Sequence, residues 1–206
     1  DDCATNNGGC AGACACSDTP DTDPVCTCTL SQSANDTITS GNSVACTYNM
    51  GVENAENSFY RVYDLAALGI DAPLSIEAVR VGVEQASSPT SQNVLVRLHT
   101  LSGNLAVANL TQLTSLSVPV ANATNTVLDV PLAANAPAGS KLVVEVFTPD
   151  ALGTTNLFFM GSNTGAETGP SYLRAPTCGF TEPVPTATVG YPNMHIVLNV
   201  VGTYTP

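Results

Sequence analysis

Six of the eight cysteines lie within the first 28 residues, at Cys3, Cys10, Cys14, Cys16, Cys26 and Cys28. Their spacing is C-x6-C-x3-C-x-C-x9-C-x-C. The same stretch has no aromatic residue, no Lys or Arg, and one branched aliphatic, Val25. Such a segment cannot exclude water from a core of its own, so cross-links must hold it. A loop of about 15 residues closed by a disulfide is stabilised by roughly 3 kcal/mol in the chain-entropy model. Cys46 and Cys178 bring the total to an even number. An even set crowded at one end, in a chain with only 11% charged residues, predicts disulfides and an oxidising compartment, with an extracellular or cell-surface location. The beginning, Asp1-Asp2-Cys3, reads as a mature end left after cleavage of a leader. Two C-x-C pairs also fit a thiolate metal cluster, but no His accompanies them and the setting reads as secreted.

Beyond the cysteines the sequence is all-β. Residues 194–201, MHIVLNVV, alternate Met194, Ile196, Leu198 and Val200 against His195, Val197, Asn199 and Val201. One face is wholly apolar and the other half apolar, the pattern of an interior strand. Residues 141–147, KLVVEVF, are its predicted pairing partner. Further strands are expected at 59–65, 74–84, 94–101, 112–120, 126–132, 156–160 and 171–174. A helical turn is expected at 66–70. Pro119 and Pro131 mark strand ends or sheet edges. Residues 181–192, with Pro183, Pro185 and Pro192, should form a long irregular surface crossing. Short strands at this spacing, with hardly any helix, define a β-sandwich, jelly-roll-like, carrying a small disulfide-rich N-terminal module. The organisation expected is a cysteine-rich module at 1–28, a polar linker or arm at 29–42, and the sandwich at 43–206.

Two stretches resemble known families. DDCATNNGGC at 1–10, with Cys26-Thr27-Cys28, resembles the start and the C-x-C of EGF-like modules. Cys14 is extra to that pattern, and Cys46 follows Cys28 at an unusual distance. NSFYRVYDLAALGI, PSYLRAPTCGFTEP and GYPNMHIVLNVVGTY are similar to segments of a bacterial secreted β-sandwich domain of large surface and exported proteins. That resemblance covers roughly 46–203. It implies a sandwich in an extracellular setting, no assigned catalytic residue, and a Cys46–Cys178 bond.

The net charge is −12, with one lysine, Lys141, and four arginines. Five scattered cations build no basic patch, which excludes nucleic acid as a partner. No apolar run is long enough to insert in a membrane as a helix. Thr, Ser, Asn, Ala and Gly take the place of charge, a surface that neighbours can cover at low desolvation cost.

Candidate chemistry is thin. No G-x-S-x-G is present, and Ser162 in MGSNTG lacks the second glycine at the required offset. His99 and His195 lie in strands among apolar residues and read as satisfied sheet histidines, not as bases or ligands. Glu145 and Asp150 flank one strand end, but with seventeen acidic residues some such pair is inevitable. No enzyme activity and no obligatory cofactor are expected. Calcium has two candidate sets. Asp1 and Asp2 precede the first cysteine as in calcium-binding EGF-like modules, and Asp18, Asp21 and Asp23 form a second hard-oxygen cluster. A solvated acidic turn set by Pro20 and Pro24 is the favoured reading of the latter. Three N-x-[ST] acceptors occur, at Asn35, Asn109 and Asn122, in a composition where chance supplies several.

Two functions compete on this reading. One is a non-enzymatic structural or adhesive subunit of an extracellular filament or surface assembly. In it the knot or arm of one copy docks on the sandwich of the next, a heterologous contact that gives an open homopolymer. The alternative is a carbohydrate-binding module stacking glycans on tyrosines. The platform candidates are Tyr172 and Tyr191, with Tyr48 and Tyr204 behind them, against a plain packing role for all four.

Overall fold

The computed structural model describes residues 2–19 and 22–206. In chain order the strands are β1 (Cys14–Ser17), β2 (Val25–Leu30), β3 (Thr47–Tyr48), β4 (Glu53–Asn54), β5 (Asn57–Asp64), β6 (Leu74–Ser87), β7 (Gln92–Leu101), β8 (Leu110–Val120), β9 (Ala123–Ala136), β10 (Lys141–Thr148), β11 (Leu157–Met160), β12 (Ser162–Asn163), β13 (Tyr172–Ala175), β14 (Phe180–Pro185), β15 (His195–Ile196) and β16 (Leu198–Tyr204). Among the described residues the helical elements are short 3-10 turns, and the residues expected as a helical turn close as a turn, with Ile70 N–H on the Leu65 carbonyl at 2.8 Å. Among the described residues no helix is long and apolar enough to cross a membrane.

Two six-stranded sheets form the sandwich. The first runs β1-β2-β16-β6-β11, with β9 on the other edge of β6. The second runs β14-β13-β5-β10-β7-β8. The pairs within both are antiparallel. The chain passes between sheets from β5 to β6, from β6 to β7, from β8 to β9 and from β9 to β10. Strands adjacent in sequence therefore mostly face each other across the core. The inner rows are strictly apolar where it matters: Val79, Val81 and Val83 on β6, Val94, Val96 and Leu98 on β7, Leu142, Val144 and Val146 on β10, all buried in one continuous cluster. Each such side chain contributes roughly 1.5–3 kcal/mol relative to exposure.

The interior strand reading of MHIVLNVV holds, since β16 lies between β2 and β6. Its predicted partner does not. Residues 141–147 form β10, which lies in the other sheet and has both edges taken, by β5 and β7. Both strands bury an apolar row in the same cluster, so they share a core without sharing a ladder. The stretch is also broken. His195–Ile196 pairs with β12, and the long ladder resumes only at Leu198. Val197 lies at a junction of backbones between them. Its carbonyl accepts from Gly82 N–H at 2.8 Å, its N–H donates to the Gly161 carbonyl at 2.9 Å, and Gly161 N–H donates to the Gly82 carbonyl at 2.8 Å. A side chain fits at neither glycine. A Cβ on Gly161 would lie 2.6 Å from the Gly82 carbonyl carbon and from Val83 N.

Other departures have equally local causes. Residues 180–185 form β14 at a sheet edge, where Pro183 and Pro185 forfeit no ladder bond on the solvent side, so the expected irregular crossing begins only after them. Pro119 and Pro131 lie inside the edge strands β8 and β9, Pro131 at a break in register with β6. Four disulfides join Cys3 to Cys16, Cys10 to Cys26, Cys14 to Cys28 and Cys46 to Cys178. The first six cysteines thus pair first to fourth, second to fifth, third to sixth. Cys14 and Cys28 face each other in the β1–β2 ladder with Cα atoms 4.2 Å apart. Cys26, Cys28 and Leu30 point into the core cluster, and β2 crosses the expected boundary between 28 and 29 without interruption. Tyr204 ties the far end, its hydroxyl accepting from Ala11 N–H at 2.6 Å.

Residues 31–42, expected as a linker or arm, lie on the sandwich of their own chain. Gln32 Nε2 donates to the Val62 carbonyl at 2.7 Å, Ser33 Oγ to the Ile196 carbonyl at 2.8 Å, and the Gly41 and Asn42 N–H groups to the Glu84 carboxylate at 2.8 and 3.2 Å. Replacing Gly161 by Ala is expected to destabilise the protein by about 1–3 kcal/mol, the usual range for overpacking. The check is a lowered denaturation midpoint at unchanged m-value; wild-type stability in Gly161→Ala would refute the close junction.

Candidate functional site

The outer face of the second sheet carries the densest polar cluster. Register aligns Tyr172 on β13, Tyr60 on β5, Glu145 on β10, Arg97 on β7 and Ser115 on β8 in one row across it. Glu145 is its hub. Ser58 Oγ donates to Glu145 Oε1 at 2.7 Å, with Tyr60 hydroxyl and Arg97 Nη1 each at 3.2 Å, and His99 Nε2 lies 2.9 Å from Oε2. The Arg97 guanidinium also stacks 4.4 Å from the Phe147 ring centroid. Ser58, Tyr60, His99 and Glu145 are all buried although they point away from the core. The β7–β8 connection explains part of this. Val107 N–H donates to Glu182 Oε2 at 2.8 Å, and Glu182 is on β14 at the opposite edge of the sheet. With the inner face filled, the connection must cross the outer one.

Burial pushes the Glu145 carboxyl pKa up. The hydrogen bonds from His99 and Ser58, with the Arg97 and His99 charges, outweigh it and hold the group below its ordinary value. Burial raises the Tyr60 hydroxyl well above its usual range, reinforced by Glu145. The cluster is internally matched, donors against one carboxylate, with one buried exception, His99 Nδ1, which has no partner.

A second cluster lies between the sheets. Arg61 is 0% exposed. Its Nε and Nη2 donate to the Ile196 carbonyl at 3.1 and 2.8 Å, its Nη1 to Glu167 Oε2 at 2.8 Å and to the Gly169 carbonyl. Glu167 lies 3.8 Å from His195 Nε2, whose ring also meets the Pro192 and Gly165 carbonyls. His195 is therefore a structural tether, and His99 a member of the Glu145 cluster. Neither faces a hydroxyl nucleophile. Ser162 is fully buried and bonded to Asn42.

Glu145 and Asp150 share no partner. Asp150 accepts from Leu152 N–H at 3.0 Å and from Tyr48 hydroxyl at 2.7 Å, which hold its carboxyl below the usual range. Tyr48 is thus engaged at a loop and Tyr204 buried at the knot. Tyr172 is half-buried and Tyr191 exposed. Two bonds bring these near each other, Thr186 N–H to the Ser171 carbonyl at 2.9 Å and Tyr191 N–H to the Thr186 carbonyl at 3.0 Å.

Asn35, Asn109 and Asn122 are all exposed, their side chains bonded to Thr37 N–H, the Asn104 carbonyl and Ser88 N–H. Of the calcium candidates, Asp1, Asp21 and the Asp2 side chain lie outside the described residues. Between Asp18 and Asp23, Thr22 N–H donates to the Thr19 carbonyl at 3.2 Å. Among the described residues no three metal-ligating His, Cys, Asp or Glu side chains come together. The members of the Arg61 and Glu145 clusters are too far apart in sequence for spacing to group them. The alternation Phe59, Arg61, Tyr63 is the signal that places a cation on an inward face.

By fold and bonding the chain is an all-β, disulfide-bonded sandwich suited to an oxidising environment. No family model matches it, and no curated protein matches it. Among solved structures it is similar to a chain in the structure of infectious bursal disease virus, Gx strain, with a TM-score of 0.34 and 11% identity over 92% of this chain. It spans 40% of that chain's length. A likeness of this size carries no argument about function.

Glu145→Gln is expected to lower stability by about 1–3 kcal/mol at neutral pH, because four donors lose their charged acceptor. A carboxyl held below its ordinary pKa stabilises the fold above that ordinary range and ceases to as pH falls through its folded value. The gap between Glu145→Gln and wild type should therefore be full near pH 7 and close below about pH 4. Denaturation midpoints across that range check it; a pH-independent gap would contradict the assigned charge state.

Proposed function

We propose that this protein is a non-enzymatic extracellular subunit of a filament or adhesive surface assembly, in which the knot of one copy docks on the far end of the next. One observation carries the reading: apolar side chains stand exposed at both ends of the sandwich. Strand β6 runs from the knot end at Leu74 to the opposite end at Ser87. Beyond Ser87 lie two loops tied together by Tyr48 to Asp150, Ala151 N–H to the Asn54 carbonyl at 2.9 Å, and Gly153 N–H to Glu53 at 3.0 Å. They present Met50 at 104%, Leu152 at 62% and Val52 at 50% exposure. At the knot end an open groove of about 450 Å³ is lined by Val25, Pro73, Ser75, Thr203, Tyr204 and Thr205. An apolar tip opposite a groove edged by Val25, Pro73 and the Tyr204 ring is a heterologous pair, and repetition gives an open polymer. The bonding of Glu145, Arg61 and Ser162 within the chain supports a structural role, as does a surface so poor in charge.

Negative-stain micrographs of the purified chain should show end-to-end polymers. Leu152→Glu with Met50→Glu, or Val25→Glu alone, should shorten or abolish them while leaving the four disulfides and the melting temperature unchanged. Particles that never join end to end at any concentration would overturn the reading.

The exposed Tyr191 beside the half-buried Tyr172 favours a second reading, a glycan-binding face. Retention on immobilised polysaccharide should then weaken roughly tenfold in Tyr191→Ala, the loss of about 1.4 kcal/mol. Retention that is absent, or indifferent to that change, removes this alternative.

A further inference from the structure

Sheet edges invite pairing with other chains, and proteins blunt them with charge, proline, brevity or covering. The edges of this sandwich are blunted in these ways, β8 least of them, since it has a proline and a bulge only near its two ends and no charge. β1 is four residues long and stapled through Cys14 and Cys16. β11 is four residues long and loses register with β6 between Phe159 and Met160. β14 carries Glu182, Pro183 and Pro185. β9 carries Asp129, ion-paired to Arg80 at 3.1 Å, and Pro131 at a break in register. β8 has no charged residue over Leu110–Val120. A bulge at Leu113 interrupts its register with β7, but from Thr114 to Val120 the ladder is continuous.

The burial along this stretch is unfinished. Leu116 is registered with Val96 and so shares the core-facing side of the sheet, yet it is 37% exposed while Val96 is 0% exposed. Thr114 and Val118, on the same side, are half-buried. The chain's own layers stop short of covering this row.

We propose that β8 pairs antiparallel with β8 of a second copy, centred on Leu116. The new ladder sets Leu116 against its own equivalent and Ser115 against Ser117 of the other copy. On an edge strand a proline nitrogen faces outward, so Ser115, Ser117 and Pro119 present their backbones to the edge. The N–H and C=O groups of both serines are then used, and Pro119 falls opposite Leu113, where the bulge ends the ladder. Charge selects this edge for self-association. Two copies at −12 each repel, and β8 is the long edge at which their contact brings no carboxylates together. The join is isologous and closes as a dimer. It is independent of the end-to-end contact proposed above.

Light scattering over a concentration series should show a dimer that tightens with added salt, as screening weakens the repulsion. Leu116→Glu should weaken it about a hundredfold or more, since like charges would be juxtaposed at the centre. Leu116→Cys should form an interchain disulfide on oxidation, visible as doubled mass on a non-reducing gel. Cysteines facing across an antiparallel ladder bond readily, as Cys14 and Cys28 do within this chain. The end-contact variant Leu152→Glu should leave the dimer intact. A monomer at all concentrations, a dimer indifferent to Leu116→Glu, or a Leu116→Cys chain that stays single would each overturn the proposal.

Discussion

The Arg61 guanidinium is the constraint on which much of the chain's course depends. A cation with no exposure is tolerable only when its N–H groups are used. Here the acceptors come from three places: the Ile196 carbonyl, the Glu167 carboxylate with the Gly169 carbonyl, and Ser33 Oγ at 3.4 Å. These belong to the arm after β2, to the loop before β13, and to the short strand before β16. None of those segments has a long ladder of its own. The buried charge draws them under β5 together, so the irregular side of the sandwich is organised by one side chain from a regular strand.

The knot works in the same sense. Three disulfides hold residues too poor in apolar surface to pack alone, but β2 then continues from the knot into the first sheet and lays Cys26, Cys28 and Leu30 on the common core. Cross-linking and sheet extension each supply what the other lacks. Cys46–Cys178, spanning 132 residues, closes the opposite side. Its loop-closure contribution is roughly 5 kcal/mol as an upper figure.

What the interior uses up, the surface lacks. Four of the five cations, Arg61, Arg80, Arg97 and Arg174, are ion-paired within the chain. What remains outward is uncharged polar surface with scattered carboxylates, such as Asp71, Glu77 and Asp129, and a few exposed apolar side chains at the ends and along one edge. A surface of that kind favours contact with other proteins over binding of a charged ligand.

Strand existence was legible because alternation is a local property: Leu142, Val144 and Val146, or Met194, Ile196, Leu198 and Val200, declare a buried face from their spacing alone. The even, crowded cysteines declared the disulfides for a similarly local reason. Neighbour relations were not legible. KLVVEVF and MHIVLNVV carry equivalent apolar rows, and nothing in either row tells hydrogen-bonded neighbour from facing layer, because both arrangements bury the same side chains. The Gly82–Gly161–Val197 junction and the polar row through Glu145 likewise arise from residues far apart in sequence. Their meeting is fixed by which strands pair and in what register, so only the tertiary structure could decide it.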